Sequence, residues 1–168
     1  MAHPLILGLF DSTSAAAAAA RELRTLGISQ QRVSIVARSH DEEGSLARAT
    51  GASPGSEIED SRAAGRLGEL SAHFFAAVAI ALPGIGPIVA DGPLAAGLGE
   101  VAGHAAGGIA RALQAAGLPY GDAHEWEGRI ERGAILVGAH TNTATASAAR
   151  DILSRNGAAA LGDGTWRD

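Results

Sequence analysis

The sequence predicts an α+β fold, a ferredoxin-like split βαβ sandwich with an inserted Ala/Gly-rich helical hairpin. Three observations lead there. A strand–helix–strand pattern fills residues 1–38, a second copy of it recurs near the other end, and residues 63–117 are dominated by Ala and Gly around a central Pro83-Gly84-Ile85-Gly86-Pro87 block. The chain accordingly divides into a first βαβ half at 1–38, an acidic flexible linker at 39–62, the helical hairpin at 63–117, and a helix plus second βαβ half at 118–168.

The first element is the apolar run Leu5 to Phe10, of strand length. The Asp11-Ser12-Thr13-Ser14 cluster that follows carries N-cap chemistry, and six consecutive Ala residues then run into Arg21-Glu22-Leu23-Arg24, a helix ending near Gly27. Val33-Ser34-Ile35-Val36-Ala37 is β-branched and polar-bounded, hence a second strand. The linker carries Asp41, Glu42, Glu43, Glu57, Glu59 and Asp60 among Gly and Ser, a solvated composition. Beyond the hairpin, Asp122 with Glu125 three residues on predicts a helix through Trp126 and Ile130 to Gly133. Ala134 to His140 repeats the strand pattern, Asn142 caps a helix through Arg155, and Gly157 stops it before a weak last strand, Ala158 to Leu161. Two interleaved halves of this kind make a four-stranded antiparallel sheet with two helices on one face.

Within 63–117 the prolines are read as ending both arms of a helical hairpin. Ala64, Gly68, Ala72 and Ala76 lie four apart in the first arm, and Ala95, Gly99, Gly103 and Gly107 in the second. Each arm therefore has one small-residue face, along which helix backbones approach closely. Gly68, Ala72, Ala76, Gly99, Gly103 and Gly107 are the expected oligomer interface.

Composition narrows the chemistry. The chain is 46% hydrophobic and only 4% aromatic, so its core must be aliphatic. With no Cys, disulfides, thiolate zinc sites and thiol nucleophiles are excluded. Net charge is -5, and all 13 basic residues are scattered Arg without a phosphate-tracking cluster, which argues against nucleic acid as a partner. No Lys exists, so the glycines at 84, 86 and 92 belong to turns and not to a P-loop. The N-terminal apolar run lacks a basic region before it, so a signal peptide is not expected and the cytoplasm is the expected location. Ser12, Thr13 and Ser14 read as caps, and His3, His40 and His140 as isolated surface histidines.

One constellation has metal-ligand chemistry. Glu69 and His73 lie four apart in the first arm and Glu100 and His104 four apart in the second, symmetric about the Ile85-Gly86 junction. In a regular hairpin two carboxylates and two imidazoles converge, a donor set for Zn or Fe. The same four residues serve equally as ion pairs along or between the arms. Leu70 to Ala90 approaches membrane-spanning length with His73 as its one ionisable side chain, but Ala and Gly dominate it, prolines divide it, and Glu69 and Glu100 flank it.

Leu-Gly-Leu-Phe-Asp-Ser at 7–12, Val-Ser-Ile-Val-Ala at 33–37, Leu-Pro-Gly-Ile-Gly-Pro at 82–87 and Gly-Pro-Leu-Ala-Ala at 92–96 together resemble the bacterial general stress protein 17M-like (YflT-like) family. Glu127 to Gly133 followed by Ile-Leu-Val fits the same pattern. The resemblance implies a stress-associated protein and supplies no catalytic residues. The expected function is a non-enzymatic homo-oligomer built through the glycine-zipper hairpin. The alternatives are a metal-binding or metal-dependent redox protein using the Glu/His cluster, and a membrane-associated stress protein.

Overall fold

Along the first strand, β1 (Ala2–Phe10), Leu5, Leu7 and Leu9 alternate with Ile6 and Phe10, and all five are buried. A strand apolar on both sides needs cover on both sides. The computed structural model, which describes residues 1–38, 78–82, 86–102 and 108–167, supplies that cover. Helix α1 (Thr13–Thr25) follows β1, then a short 3-10 turn (Gln30–Arg32) leads to β2 (Val33–Arg38). Strands β3 (Val78–Leu82) and β4 (Gly86–Asp91) precede α2 (Pro93–Ala102), α3 (Gly108–Ala115) and α4 (Tyr120–Glu131). The chain closes with β5 (Ile135–His140), α5 (Ala146–Arg155) and β6 (Ala160–Arg167).

These strands form one α+β sheet of six, in the order β3-β4-β2-β5-β1-β6, with every neighbouring pair antiparallel. β5 lies between β1 and β2, and β1 between β5 and β6, so the two βαβ units interleave. On one face Ile6, Phe10, Val33, Ile35, Val137 and Ala139 pack against Ala16, Ala20 and Leu23 of α1 and Ala149, Ile152 and Leu153 of α5. On the other, Leu5, Leu7, Leu9, Val36, Ile88 and Leu136 pack against Leu94 and Leu98 of α2, Ile109 and Leu113 of α3, and Trp126 and Ile130 of α4. The alternation along each strand assigns its residues to the two layers. Helices thus cover both faces, where two helices on a single face were expected.

The expected helical hairpin is corrected at its centre: Val78–Leu82 and Gly86–Asp91 are paired strands, with Ala79 opposite Val89 and Leu82 opposite Gly86. β4 also pairs with β2, Val36 opposite Ala90, which joins this segment to the main sheet and gives six strands in place of four. The physical reason is that Val78, Ile80, Ile88 and Val89 favour extended backbone, while a proline shows where a helix cannot continue and not that one was present. Pro87 precedes the first β2–β4 pair, Arg38 with Ile88, so its missing N–H leaves that ladder whole. The arm at 63–77, the linker at 39–62 and residues 103–107 lie outside the described residues.

Ends and joints follow side-chain chemistry. Ser12 Oγ accepts from the Ala15 N–H at 3.4 Å, as cap chemistry predicts for α1. Glu127 of α4 accepts from the Ala110 N–H at 2.8 Å, so one helix satisfies a free donor in the first turn of another. Arg38 donates to the Glu131 carbonyl at the end of α4 at 2.6 Å. Arg155 binds Glu22 at 2.5 Å across the α1–α5 layer and holds that carboxyl below the usual carboxylate range. The C-terminal strand is twice the expected length because helix cover reaches it: the Thr165 N–H donates to the Ala116 carbonyl at 2.7 Å, and a Cβ at Gly164 would stand 2.4 Å from that oxygen.

Because α2 is part of the core, Leu98, 1% exposed, should behave as a core residue. Leu98→Ala is expected to cost roughly 2–5 kcal/mol, measured by urea denaturation. A loss below about 0.5 kcal/mol, the scale of a surface change, would mean that α2 does not pack on the sheet in solution.

Candidate functional site

Two polar assemblies stand out, one closed and one open. The closed one begins with Ser34 of β2, opposite Gly138 of β5 in register. Gly138 leaves room there: a Cβ on it would meet Leu7, Leu94 and Ser34 at 3.2–3.4 Å. Ser34 Oγ lies 2.8 Å from His140 Nε2 and accepts from the Leu94 N–H at 3.1 Å, so it caps the start of α2. The chain enters α2 through Asp91, whose Oδ1 accepts from the Gly92 N–H at 2.7 Å, and Pro93 takes the first helical position. Gly92 has φ +81°, and a Cβ there would stand 2.4 Å from the Val33 carbonyl oxygen, so only glycine fits this turn.

Ser34 is fully buried and His140 is 2% exposed. Burial, with a smaller contribution from the Arg32 charge, lowers the His140 pKa to about 4. The imidazole is therefore neutral near pH 7, and its Nδ1 is buried with no hydrogen-bond partner among the described residues. Trp166 of β6 closes the assembly. Its ring stands edge-on to His140 at 5.4 Å, its Nε1 donates to the Thr141 carbonyl at 3.0 Å, and the Arg32 guanidinium lies 5.1 Å from its ring centre. His3 lies against the same ring at 5.1 Å. A hydroxyl beside an imidazole is the pair that acyl transfer uses. Here the hydroxyl has no exposed surface and is engaged by both neighbours, so the pair clamps α2, β2 and β5 together.

The open assembly is a cleft of about 480 Å³ lined by Asp11, Thr13, Arg129, Arg132, Gly133 and Ala134. It lies where β1 enters α1 and where α4 gives way to β5. Arg129 in the last turn of α4 and Arg132 at its C-cap are three apart, and both line the same opening. Arg129 donates through one terminal nitrogen to both Asp11 oxygens, at 3.0 and 3.2 Å.

The sequence-predicted metal site is placed only in part. Glu69, His73 and His104 lie outside the described residues, and Glu100 falls in α2 with its side chain likewise outside them. Of the expected interface residues, Gly99 stands in α2, while Gly68, Ala72, Ala76, Gly103 and Gly107 lie outside the described residues. No group of three or more His, Cys, Asp or Glu able to hold a metal assembles among the described residues, nor is any helix among them long and apolar enough to cross a membrane. His140, expected at the surface, is corrected to a core position, because β1, β5 and β6 converge on it from distant parts of the sequence. The period-2 alternation that puts Val36 inside also puts Ser34 inside, and that was the available signal.

Comparison with protein-family models, with curated proteins and with solved structures finds no match to this chain.

A histidine neutral in the fold and protonated when unfolded gives stability that is present above its ordinary pKa of 6.5 and is lost as pH falls towards about 4. The loss is roughly 3 kcal/mol. His140→Gln, which keeps a polar partner for Ser34 without titrating, should flatten urea-derived stability between these pH values. Parallel curves for the variant and the wild type would contradict the assignment.

Proposed function

We propose that this chain is a non-enzymatic, stress-associated protein whose ferredoxin-like frame presents an Ala/Gly-rich segment for homo-oligomerisation. The ferredoxin-like reading is supported by the order β2-β5-β1-β6, in which two βαβ units interleave with every pair antiparallel. β3 and β4 extend that frame at the β2 edge. The stress association draws on the likeness of residues 7–12, 33–37, 82–87 and 92–96 to the general stress proteins.

The observation that carries assembly is the orientation of α2. Its two leucines, Leu94 and Leu98, point into the sheet, Ala96 is exposed, and a Cβ at Gly97 would meet nothing within 4 Å among the described residues. From Pro93 to Gly99 the helix carries no charged residue. Around Ala96 and Gly97 its outward surface is therefore small, and a second helix can approach closely there and gain dispersion contacts. The fully buried Ser34 is out of reach of a substrate carbonyl, so its pairing with His140 serves the packing of α2 on the sheet.

The open space at Gly97 makes the test clean. Gly97→Arg should leave the circular dichroism spectrum unchanged and convert the oligomer to a single chain by light scattering, because a guanidinium in a close helix contact must be desolvated. A wild type already monomeric at micromolar concentration refutes assembly through this surface.

A further inference from the structure

We propose that the cleft between α1 and α4 binds a phosphate-class oxyanion, the phosphoryl end of a small molecule or inorganic phosphate itself. This goes beyond assembly and draws on different residues. Asp11, Arg129 and Arg132 give the cleft a net charge of +1 on a chain whose net charge is -5. The carboxylate does not cancel the site, because Asp11 is committed to Arg129 and fixes that guanidinium in place. Only one terminal nitrogen of Arg129 is used in that pair, which leaves its Nε and other terminal nitrogen as donors. Arg132 makes no ion pair with any described residue. A planar fork with spare donors, held by a carboxylate beside a second guanidinium, suits an oxyanion with several acceptor oxygens. Thr13, at the start of α1, also lines the cleft, and its hydroxyl is a neutral group able to donate.

Size and placement favour the same ligand. A volume of about 480 Å³ lies within the range of small-molecule sites and exceeds what a bare anion fills. Gly133 and Ala134 form the rest of the wall, so no side chain larger than a methyl obstructs it there. The cleft is lined largely by two short connections, Asp11 between β1 and α1 and Arg132 to Ala134 between α4 and β5, and both are anchored on adjacent central strands of the sheet.

Amide chemical shifts followed during titration with inorganic phosphate, with glycerol 3-phosphate and with chloride at matched ionic strength test the proposal. Saturable shifts at Thr13 and Gly133 are expected with both phosphates and not with chloride. Arg132→Gln should weaken binding by about tenfold or more, the size of one charge-assisted hydrogen bond. Thr13→Val, at the start of α1, should weaken it less, and Arg155→Gln, outside the cleft, should leave it unchanged. Tighter binding of glycerol 3-phosphate identifies a phosphate monoester as the ligand, and equal binding identifies the inorganic ion. Chloride shifts equal to those with phosphate, or titration curves unmoved in both Arg132→Gln and Thr13→Val, would overturn the site.

Discussion

The two-sided burial of β1 is the constraint from which the layers follow. Leu5, Leu7 and Leu9 on one side and Ile6 and Phe10 on the other cannot all leave water unless helices pack on both faces. α1 and α5, each within a βαβ unit, supply one layer. The other comes from the segment between those units, which explains why an Ala-rich, Gly-rich stretch with few large side chains still carries Leu94, Leu98, Ile109 and Leu113 at inward positions. With so few aromatic residues, the fold also uses small residues on the strands as seats for larger ones on the helices. Trp126 lies over Gly162, whose absent side chain would otherwise come within 3.1 Å of the indole ring.

The outer units of the chain were legible because local pattern and global packing agree there. β1, α1, β2 and β5 follow from apolar runs and the Ser12 cap, and α5 from its terminating glycine, although it begins at Ala146 behind Thr145 and not at Asn142, whose Oδ1 accepts from the Ala144 and Thr145 N–H groups of the preceding turn. β6 was legible only at its start, since Gly162, Asp163 and Gly164 read as loop when taken alone. Their extended backbone comes from pairing with β1, Ile6 opposite Asp163 and Leu5 opposite Gly164, and from close contact with Ala116. The block around Pro83 and Pro87 was legible as a turn and not as to what it joins. Helix and strand both end at such residues, and the neighbouring Ala content favours helix by propensity alone.

The sites divide in a similar way. Ser12 as a cap was readable from its place before a helix, because capping is local. The Ser34–His140 pair, 106 residues apart in sequence, has no local signature. The same holds for the Asp11–Arg129 pair, whose partners are separated by 118 positions. What makes His140 a core residue is Trp166 arriving from the far edge of the sheet, a contact no periodicity announces. The two assemblies differ in consequence: the first is enclosed in the core, with His140 Nδ1 left without a partner among the described residues, while the second has two arginines lining an open volume.

The interleaved strand order also governs how this chain can acquire its fold during synthesis. β1 has hydrogen-bonded neighbours only in β5 and β6, so until residue 135 exists the first strand has no edge to join. Its leucines emerge from the ribosome long before their partners. Such long-range closure is slow relative to local helix formation, and it leaves apolar strand surface exposed for the time needed to translate the residues between β1 and β5. Through that interval α1, whose alanines and Leu23 pack on the same face as Ile6 and Phe10, is the element of its layer already synthesised next to β1, whereas α5 follows only after β5.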